Sequence, residues 1–486
     1  MTADRRPGTV TRAGALPDTS VPGAEYDVVV VGAGVVGCAV ARELARRPLR
    51  VALVEASGDV GDGTSKANTA ILHTGFDAVP GSLEARLVRE GRRLLADYAR
   101  QTGIPVEPLG ALLVAWDEEQ LAALPRLADK AVRNGHRTTR IIGAEELRRR
   151  EPHLGPGALG ALEVPGESII CPWTTTLAYA TQAVRSGADL HLNCRAEKAD
   201  PGLTASAPHR LVTPRGVLRA RYVVNACGLY ADRFDALFGR QDFTVTPRRG
   251  QLIVFDSFAR PLVRHILLPV PGALGKGVLV APTVYGKVLL GPTAENLDDR
   301  TATGTTAEGV ESLRAQGRRI LPALLDEEVT AVYAGLRAAT EHDDYKCAAH
   351  PRLRYVTAGG IRSTGLTASL AIAAHMVELL VESGLALGQE RPLAPVRMPN
   401  LGEAFPRPYR DAELVSRAPE YGSVVCHCER VTRGEIRDAL ASTIPPGSLD
   451  GLRRRTRARG GRCQGFACGA AVRSMFEEAG APWSDR

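Results

Sequence analysis

Apolar positions along the chain fall into two rhythms. Val28 to Val31 form an unbroken β-branched run, as a strand buried on both faces requires, and Val51–Val54 repeats it. Between them Val36, Val40 and Leu44 recur at helical spacing. The same spacing predicts helices over Leu83–Gln101, Glu118–Asn134, Ala144–Arg150, Cys171–Gly187 and Thr367–Ser383, the last stopped by Gly384. Strands are expected at Leu112–Trp116, Asp189–Cys194, Leu211–Thr213, Leu218–Val224, Gln251–Phe255, Gly277–Ala281, Lys287–Gly291 and Tyr355–Ala358. These elements predict a mixed α/β (α+β) chain. A Rossmann-like domain over 26–390 would carry an inserted antiparallel-sheet domain at about 80–150 and 235–335. Pro392, Pro395, Pro399, Pro406, Pro408 and Pro419 mark 391–422 as a linker with little regular structure, and 423–486 reads as a small helical module.

Glycines change the picture at the first strand–helix junction. Gly32, Gly34 and Gly37, with Ala33 and Val36 among them, stand in G-x-G-x-x-G register. They allow a tight turn, backbone approach to a pyrophosphate and close helix–strand contact, while the helix N-terminus offers free N–H groups to phosphates. Glu55, followed by Ala56, ends the second strand about 20 residues on, where a carboxylate can accept ribose hydroxyls. Strand, glycines, helix, strand and acid agree on a bound dinucleotide. They leave NAD and FAD both open.

At 486 residues the chain has room for two or three domains with proper cores. Its net charge of +7 comes mostly from arginines spread along the sequence, which suits an acidic substrate or an anionic surface and gives no argument for nucleic acid. No apolar run approaches the roughly 20 residues of a membrane span. Residues 1–25 are rich in Gly, Pro, Thr and Ala, and Arg5-Arg6 lacks the hydrophobic region of a twin-arginine signal. A disordered lead-in and a cytoplasmic location are expected. Nine cysteines, an odd number with four in the C-terminal tail, do not make a secreted disulfide framework.

Those four are Cys426 and Cys428 in CHCERVT, and Cys463 and Cys468 in GRCQGFACG, with thirty-four residues between the pairs. Thr432 and Glu435 form a capping box for a helix over Arg433–Ala441, and a second helix is expected at Ala470–Ala479. Four thiolates would then meet near two positive helix ends, a setting for an anionic iron–sulfur cluster. Zinc is the alternative, although its usual pairs are C-x-x-C. The basic run Arg453–Arg462 either offsets the cluster's charge and raises its potential, or is a solvated loop. Cys38, Cys171, Cys194, Cys227 and Cys347 are expected to be plain thiols.

Several segments in order, TSKANTAILHTGF, VVNACGLYAD, PRRGQLIVFD, PTVYGKVLLGPTAE, YAGLRA and GGIRSTGLTASLAIA, together with the finger, resemble the D-amino-acid-oxidase-like FAD oxidoreductases. Within that family they are most similar to the branch of anaerobic glycerol-3-phosphate dehydrogenase large subunits and L-2-hydroxyglutarate oxidases. The resemblance covers roughly 25–385 and implies FAD. It implies that Thr64, Ser65 and Asn68 line the pyrophosphate and flavin, and Ala226 and Gly228 the adenosine half. Gly360, Ile361, Gly365, Leu366 and Thr367 would set a helix N-terminus against the flavin pyrimidine edge, where reduced flavin carries negative charge. The terminal cysteines resemble the bacterioferritin-associated-ferredoxin-like [2Fe-2S] domain.

By the same resemblance His73 would handle the substrate proton and Arg337 would bind an acidic group. Arg249 and Arg362 are candidates for a carboxylate or phosphate, which a guanidinium fork matches equally. Many members carry an acid where Arg362 stands, which points to a second anionic group. Lys66, His265, Lys276 and Tyr285 are further candidates. A two-electron flavin joined to a one-electron cluster implies a dehydrogenase that sends electrons to a partner subunit or quinone, with peripheral membrane association through that partner. The expected substrate is a small anionic 2-hydroxy compound, first sn-glycerol-3-phosphate, then L-2-hydroxyglutarate or an amino acid or opine. A non-catalytic redox subunit is the remaining alternative.

Overall fold

The computed structural model describes residues 6–21, 24–204, 207–271 and 277–480. The valine run forms the strand Tyr26–Val31 inside a nine-stranded sheet. It pairs in parallel with Val51–Val54 on one side and Gly216–Asn225 on the other. Asp189–His191 and Tyr355–Gly359 extend the parallel core outward. Helices cover both faces, which is why Val28, Val29 and Val30 are wholly buried and the strand shows no alternation. Helix Val35–Leu44 packs between Pro172–Arg185 and Gly365–Glu382 and is accordingly apolar nearly all round. Gly37 seats it on the strand end, since a Cβ there would stand 1.8 Å from the Gly32 carbonyl oxygen.

Helix Gly365–Glu382 is long and apolar enough to cross a membrane by length and composition, although the sequence pattern shows no run of twenty. It packs between Val35–Leu44 and Leu83–Thr102, and the core accounts for its composition. Leu83–Thr102 thus belongs to the nucleotide-binding layer rather than to the inserted domain. Its one apolar stripe, Leu87, Val88, Leu95 and Tyr98, joins the larger core.

The second nine-stranded sheet contains Ala111–Ala115, Gly160–Val164 and Arg140–Gly143 from the first insertion, and Thr246–Phe255 through Val329–Ala339 from the second. The insertion therefore reaches Val164, past the expected limit near residue 150. Its pairs are antiparallel except one: Ile266–Pro269 runs parallel to Ala111–Ala115, so the sheet is mixed where its two halves meet. A three-stranded sheet of Ile71–Leu72, Ser168–Ile170 and Val106–Pro108 stands apart from both large sheets.

Three expectations are corrected by packing. Of the lead-in read as disordered, residues 6–21 are described and tied down. Val10–Thr11 pairs in parallel with Asp189–His191, and Leu16 and Thr19 are buried. Backbone bonding at a sheet edge does this, and composition does not reveal it. The proline-rich 391–422 contains a short helix, Ala412–Arg417, and its Arg407 is almost wholly enclosed. The C-terminal module has the hairpin Val424–Cys426/Val431–Thr432 and helices Arg433–Leu440 and Gly469–Glu478. A third helix, Leu449–Thr456, enters the basic run, so the first residues of that run are helical and not a solvated loop, one of its two readings from sequence.

Candidate active site

A cleft open to solvent, about 910 Å³ with the solvent space at its mouth included, runs along the glycine finger. Gly34 and Val36 border it at the finger, Thr64, Ser65 and Asn68 on the following loop, and Ala226 and Gly228 at the end of the central strand. Gly360, Ile361, Gly365 and Leu366 close it at the N-terminus of helix Gly365–Glu382, which no side chain caps. An uncapped positive end facing a cleft is suited to the anionic edge of a reduced flavin. The remaining finger positions act beside the cleft. The Ser65 Oγ accepts the Val35 N–H at 2.9 Å, and Glu55 accepts the N–H of Ala33 at 2.7 Å and of Ser57 at 2.8 Å. Burial pushes the Glu55 carboxyl up. Ala56 faces solvent. Thr367 is buried behind the cleft, where its Oγ accepts the His73 N–H at 3.0 Å, so it braces the site instead of lining it.

A second cavity, about 2300 Å³ and open to solvent, shares Thr64, Asn68, His73 and Arg362 with the first. One group bordering both spaces is where a substrate carbon and a cofactor ring can meet. His73 follows Ile71–Leu72, and Glu167 precedes Ser168–Ile170; antiparallel pairing of Leu72 with Ser168 sets the two side chains together. The His73 Nδ1 lies 3.2 Å from Glu167 Oε2. Glu167 is fully enclosed, and its Oε1 accepts the Thr74 N–H and hydroxyl, each at 2.7 Å. An anchored carboxylate on Nδ1 holds the proton there and leaves Nε2 as the acceptor. Glu167 escapes sequence reading because ninety-three residues separate it from Thr74. The detectable signal is its position next to a strand that pairs with the histidine's own.

Strand phase decides the arginines. Tyr333, Gly335 and Arg337 share one face of Val329–Ala339, and Arg248, Gly250 and Leu252 lie opposite them in register. Gly335 lets the cofactor loop come close, since a Cβ would stand 2.4 Å from the Ala67 carbonyl oxygen. Arg337 enters the large cavity with only long contacts, 3.4 and 3.5 Å, to the Thr293 carbonyl. Among the described residues no carboxylate lies within ion-pair distance of it. Burial, and then Arg248, pull its pKa down. Arg249, by contrast, turns to the other face and binds Glu295 at 2.6 Å and the Gly304 carbonyl at 3.1 Å. The expected Arg249 is thus replaced by Arg248, which lines the cavity and donates to Asn296 at 2.8 Å. Arg362 borders both spaces, but its fork is engaged by the carbonyls of His342 and Asp343 at 3.0 and 2.8 Å.

Other candidates point elsewhere. Lys66 pairs with Asp62 at 2.9 Å and His265 with Glu151 at 2.7 Å. Tyr285 is buried against Cys171, 3.1 Å away. Lys276 lies outside the described residues.

In the C-terminal module the thiols stand as two pairs, Cys426 with Cys468 and Cys428 with Cys463. Cys426 and Cys468 are buried, whereas Cys428 is exposed. Backbone N–H groups of Arg459 and Glu429 reach Cys426, and those of Ala467 and Gly465 reach Cys463. No three metal-binding side chains among the described residues converge on a single-ion site. Two thiol pairs with N–H donors fit a two-iron cluster better than one tetrahedral zinc. The five other cysteines are free, with burial pushing each thiol up.

Within the basic run the backbone of Arg459 reaches the cluster thiols and Arg462 is exposed, but Arg454, Arg455 and Arg457 are buried, and Arg454 and Arg455 fasten the module to the nucleotide-binding domain. Arg455 grips Asp59 in a fork, 2.6 and 2.7 Å. Arg454 reaches Asp59 at 3.2 Å and Asp62 at 3.0 Å. Burial opposes ionisation of Asp59, but the two guanidiniums outweigh it and hold its pKa down. Arg457 joins Glu429 at 2.8 Å and Glu403 at 2.8 Å, and Lys287 reaches Glu429 at 2.8 Å.

Residues 27–379 match the family model described as FAD dependent oxidoreductase. The chain belongs to that family. Residues 424–478 match the BFD-like [2Fe-2S] binding domain, so its cofactors are FAD and a [2Fe-2S] cluster. It is 35% identical to a glycerol 3-phosphate dehydrogenase of Caloramator mitchellensis over 92% of this chain and 93% of that one. It is 31% identical to a glycerol 3-phosphate oxidase of Mycoplasma pneumoniae over 73% and 94%. The dithionite-reduced L-α-glycerophosphate oxidase of Mycoplasma pneumoniae with FAD bound superposes with a TM-score of 0.73 at 28% identity, over 77% of this chain and 99% of that one. The protein is an FAD-dependent oxidoreductase of the glycerol-3-phosphate dehydrogenase type.

Proposed function

We propose that the enzyme oxidises sn-glycerol-3-phosphate to dihydroxyacetone phosphate and passes the electrons singly through its cluster to a partner protein or a quinone. The observation carrying this reading is Arg337, a half-buried guanidinium with no carboxylate partner among the described residues, in a cavity that shares His73 with the cofactor cleft. A phosphate dianion can satisfy its fork, with Arg248 on the neighbouring strand adding charge. His73 Nε2 takes the C2 hydroxyl proton, while Glu167 holds Nδ1–H and steadies the ring as charge develops. Bound FAD supplies a two-electron acceptor for the hydride on that same carbon. Leu252, Leu268 and Leu279 line the cavity with apolar surface that limits water near the reacting groups. Arg362 fixes the turn that enters helix Gly365–Glu382.

The test is anaerobic stopped-flow bleaching of the bound flavin with sn-glycerol-3-phosphate, L-2-hydroxyglutarate and a panel of amino acids. The phosphate ester should bleach fastest. Faster bleaching by a dicarboxylate or an amino acid overturns the substrate assignment, and bleaching by none of them leaves the redox-subunit reading standing.

A further inference from the structure

A file of contacts, half-buried at the cleft and buried from Tyr285 to Glu429, joins the two cofactor sites. Ser65 and Asn68 border the flavin cleft, and Lys66 lies between them. Directly behind, the Trp173 indole N–H donates to the Lys66 carbonyl at 3.1 Å. The Trp173 ring stacks on Tyr285, centroids 4.8 Å apart and planes 17° from parallel. Arg457 sits over the Tyr285 ring, 5.8 Å from its centroid, and donates to the Tyr285 carbonyl at 3.2 Å. Arg457 then grips Glu429, the residue after Cys428, whose own N–H reaches Cys426. The file crosses the interface between two domains that the Asp59 and Glu429 ion pairs hold shut.

We propose that the Trp173–Tyr285 stack is the electronic bridge from the flavin to the iron–sulfur cluster. This rests on the relay reading above. In each event the reduced flavin gives up one electron and the oxidised cluster gains it. The two rings are neither oxidised nor reduced; their contiguous π-systems carry the coupling between donor and acceptor. A second event, after the cluster has passed its electron to an external one-electron acceptor, empties the flavin, whose protons leave to solvent. Burial pushes the Tyr285 hydroxyl up, so it keeps its proton and the path moves charge without moving a proton.

A packing role alone would predict that any well-fitting apolar pair serves equally. Flash photoreduction of the bound flavin, with excess EDTA as the sacrificial electron donor, separates the two, because it needs no substrate. Flavin absorbance is followed together with freeze-quenched EPR of the cluster in the holoenzyme. In the double variant W173L/Y285L, cluster reduction after the flash should slow about tenfold or more, while flavin and oxidised-cluster spectra stay native. The ring-keeping double variant W173F/Y285F should stay within about threefold of wild type. Equal rates in wild type and W173L/Y285L overturn the bridge and leave the relay intact. W173F/Y285F as slow as W173L/Y285L also overturns it, because hydrogen bonds rather than rings would then be responsible. A wild-type cluster that never accepts the flavin's electron overturns the relay itself.

Discussion

Replacing Arg337 by Met gives opposite expectations for stability and for catalysis. The guanidinium is half-buried, its best contacts are 3.4 and 3.5 Å from one carbonyl, and desolvation, with Arg248 beside it, already pulls its pKa down. A residue in this position is poorly compensated in the free protein, so an apolar side chain of similar length should leave thermal stability unchanged or higher. In the substrate complex the same fork would make two charge-assisted hydrogen bonds, each contributing about 1.5–3 kcal/mol. Losing both predicts a fall in kcat/KM for the phosphate ester of about two to four powers of ten. R337K keeps the charge without the planar fork and should fall between. Glycerol, which has no anion, should be a poor substrate for wild type and no poorer for R337M. The assay pairs differential scanning fluorimetry with anaerobic flavin bleaching. If R337M melts several degrees lower while kcat/KM stays within about threefold, Arg337 is a structural residue and the anion site lies elsewhere.

Three further outcomes follow from particular contacts. E167Q removes the anchored charge on His73 Nδ1 and should lower the rate of flavin bleaching about tenfold, while H73A should lower it about 10²–10⁴-fold, with little change in substrate affinity for either; equal rates in E167Q and wild type would detach Glu167 from the reaction. D59A strands the buried Arg455, leaves Arg454 to Asp62 and Asp450, and should cost about 3–5 kcal/mol of interface stability, read as faster proteolysis between 391 and 422; unchanged protection would remove the latch. His191 is buried and held down to about 4, first by desolvation, so it folds neutral. Its unfolded value is near 6.5, and the unfolded state therefore binds more protons below that pH. Stability should fall as pH drops from about 6.5 towards 4, and less steeply in H191N, by thermal melts across that window.

What could be read from the chain was local. The glycine finger, the helix periods and the paired cysteines each fit within one or two elements, and they place the cofactor cleft and the cluster module. Strand phase was not readable at Arg248–Arg249, because two arginines precede the unbroken run LIVF, which has no alternation to show which face is buried. Glu167 depends on the register between strands far apart in sequence. The run at Arg453–Arg462 resembles a solvated charge cluster because its partners Asp59 and Asp62 lie almost four hundred residues away. The edge strand at Val10–Thr11 is held by main-chain bonds that composition does not encode.

The most direct measurement mixes the oxidised holoenzyme anaerobically with sn-glycerol-3-phosphate and follows flavin absorbance together with freeze-quenched EPR. Electrons entering at the cleft and leaving through the module predict bleaching first and then a rhombic cluster signal that grows as bleaching proceeds. A flavin that bleaches while the cluster stays oxidised, and that recovers with oxygen alone, would contradict it and make the protein an oxidase with an idle appendage.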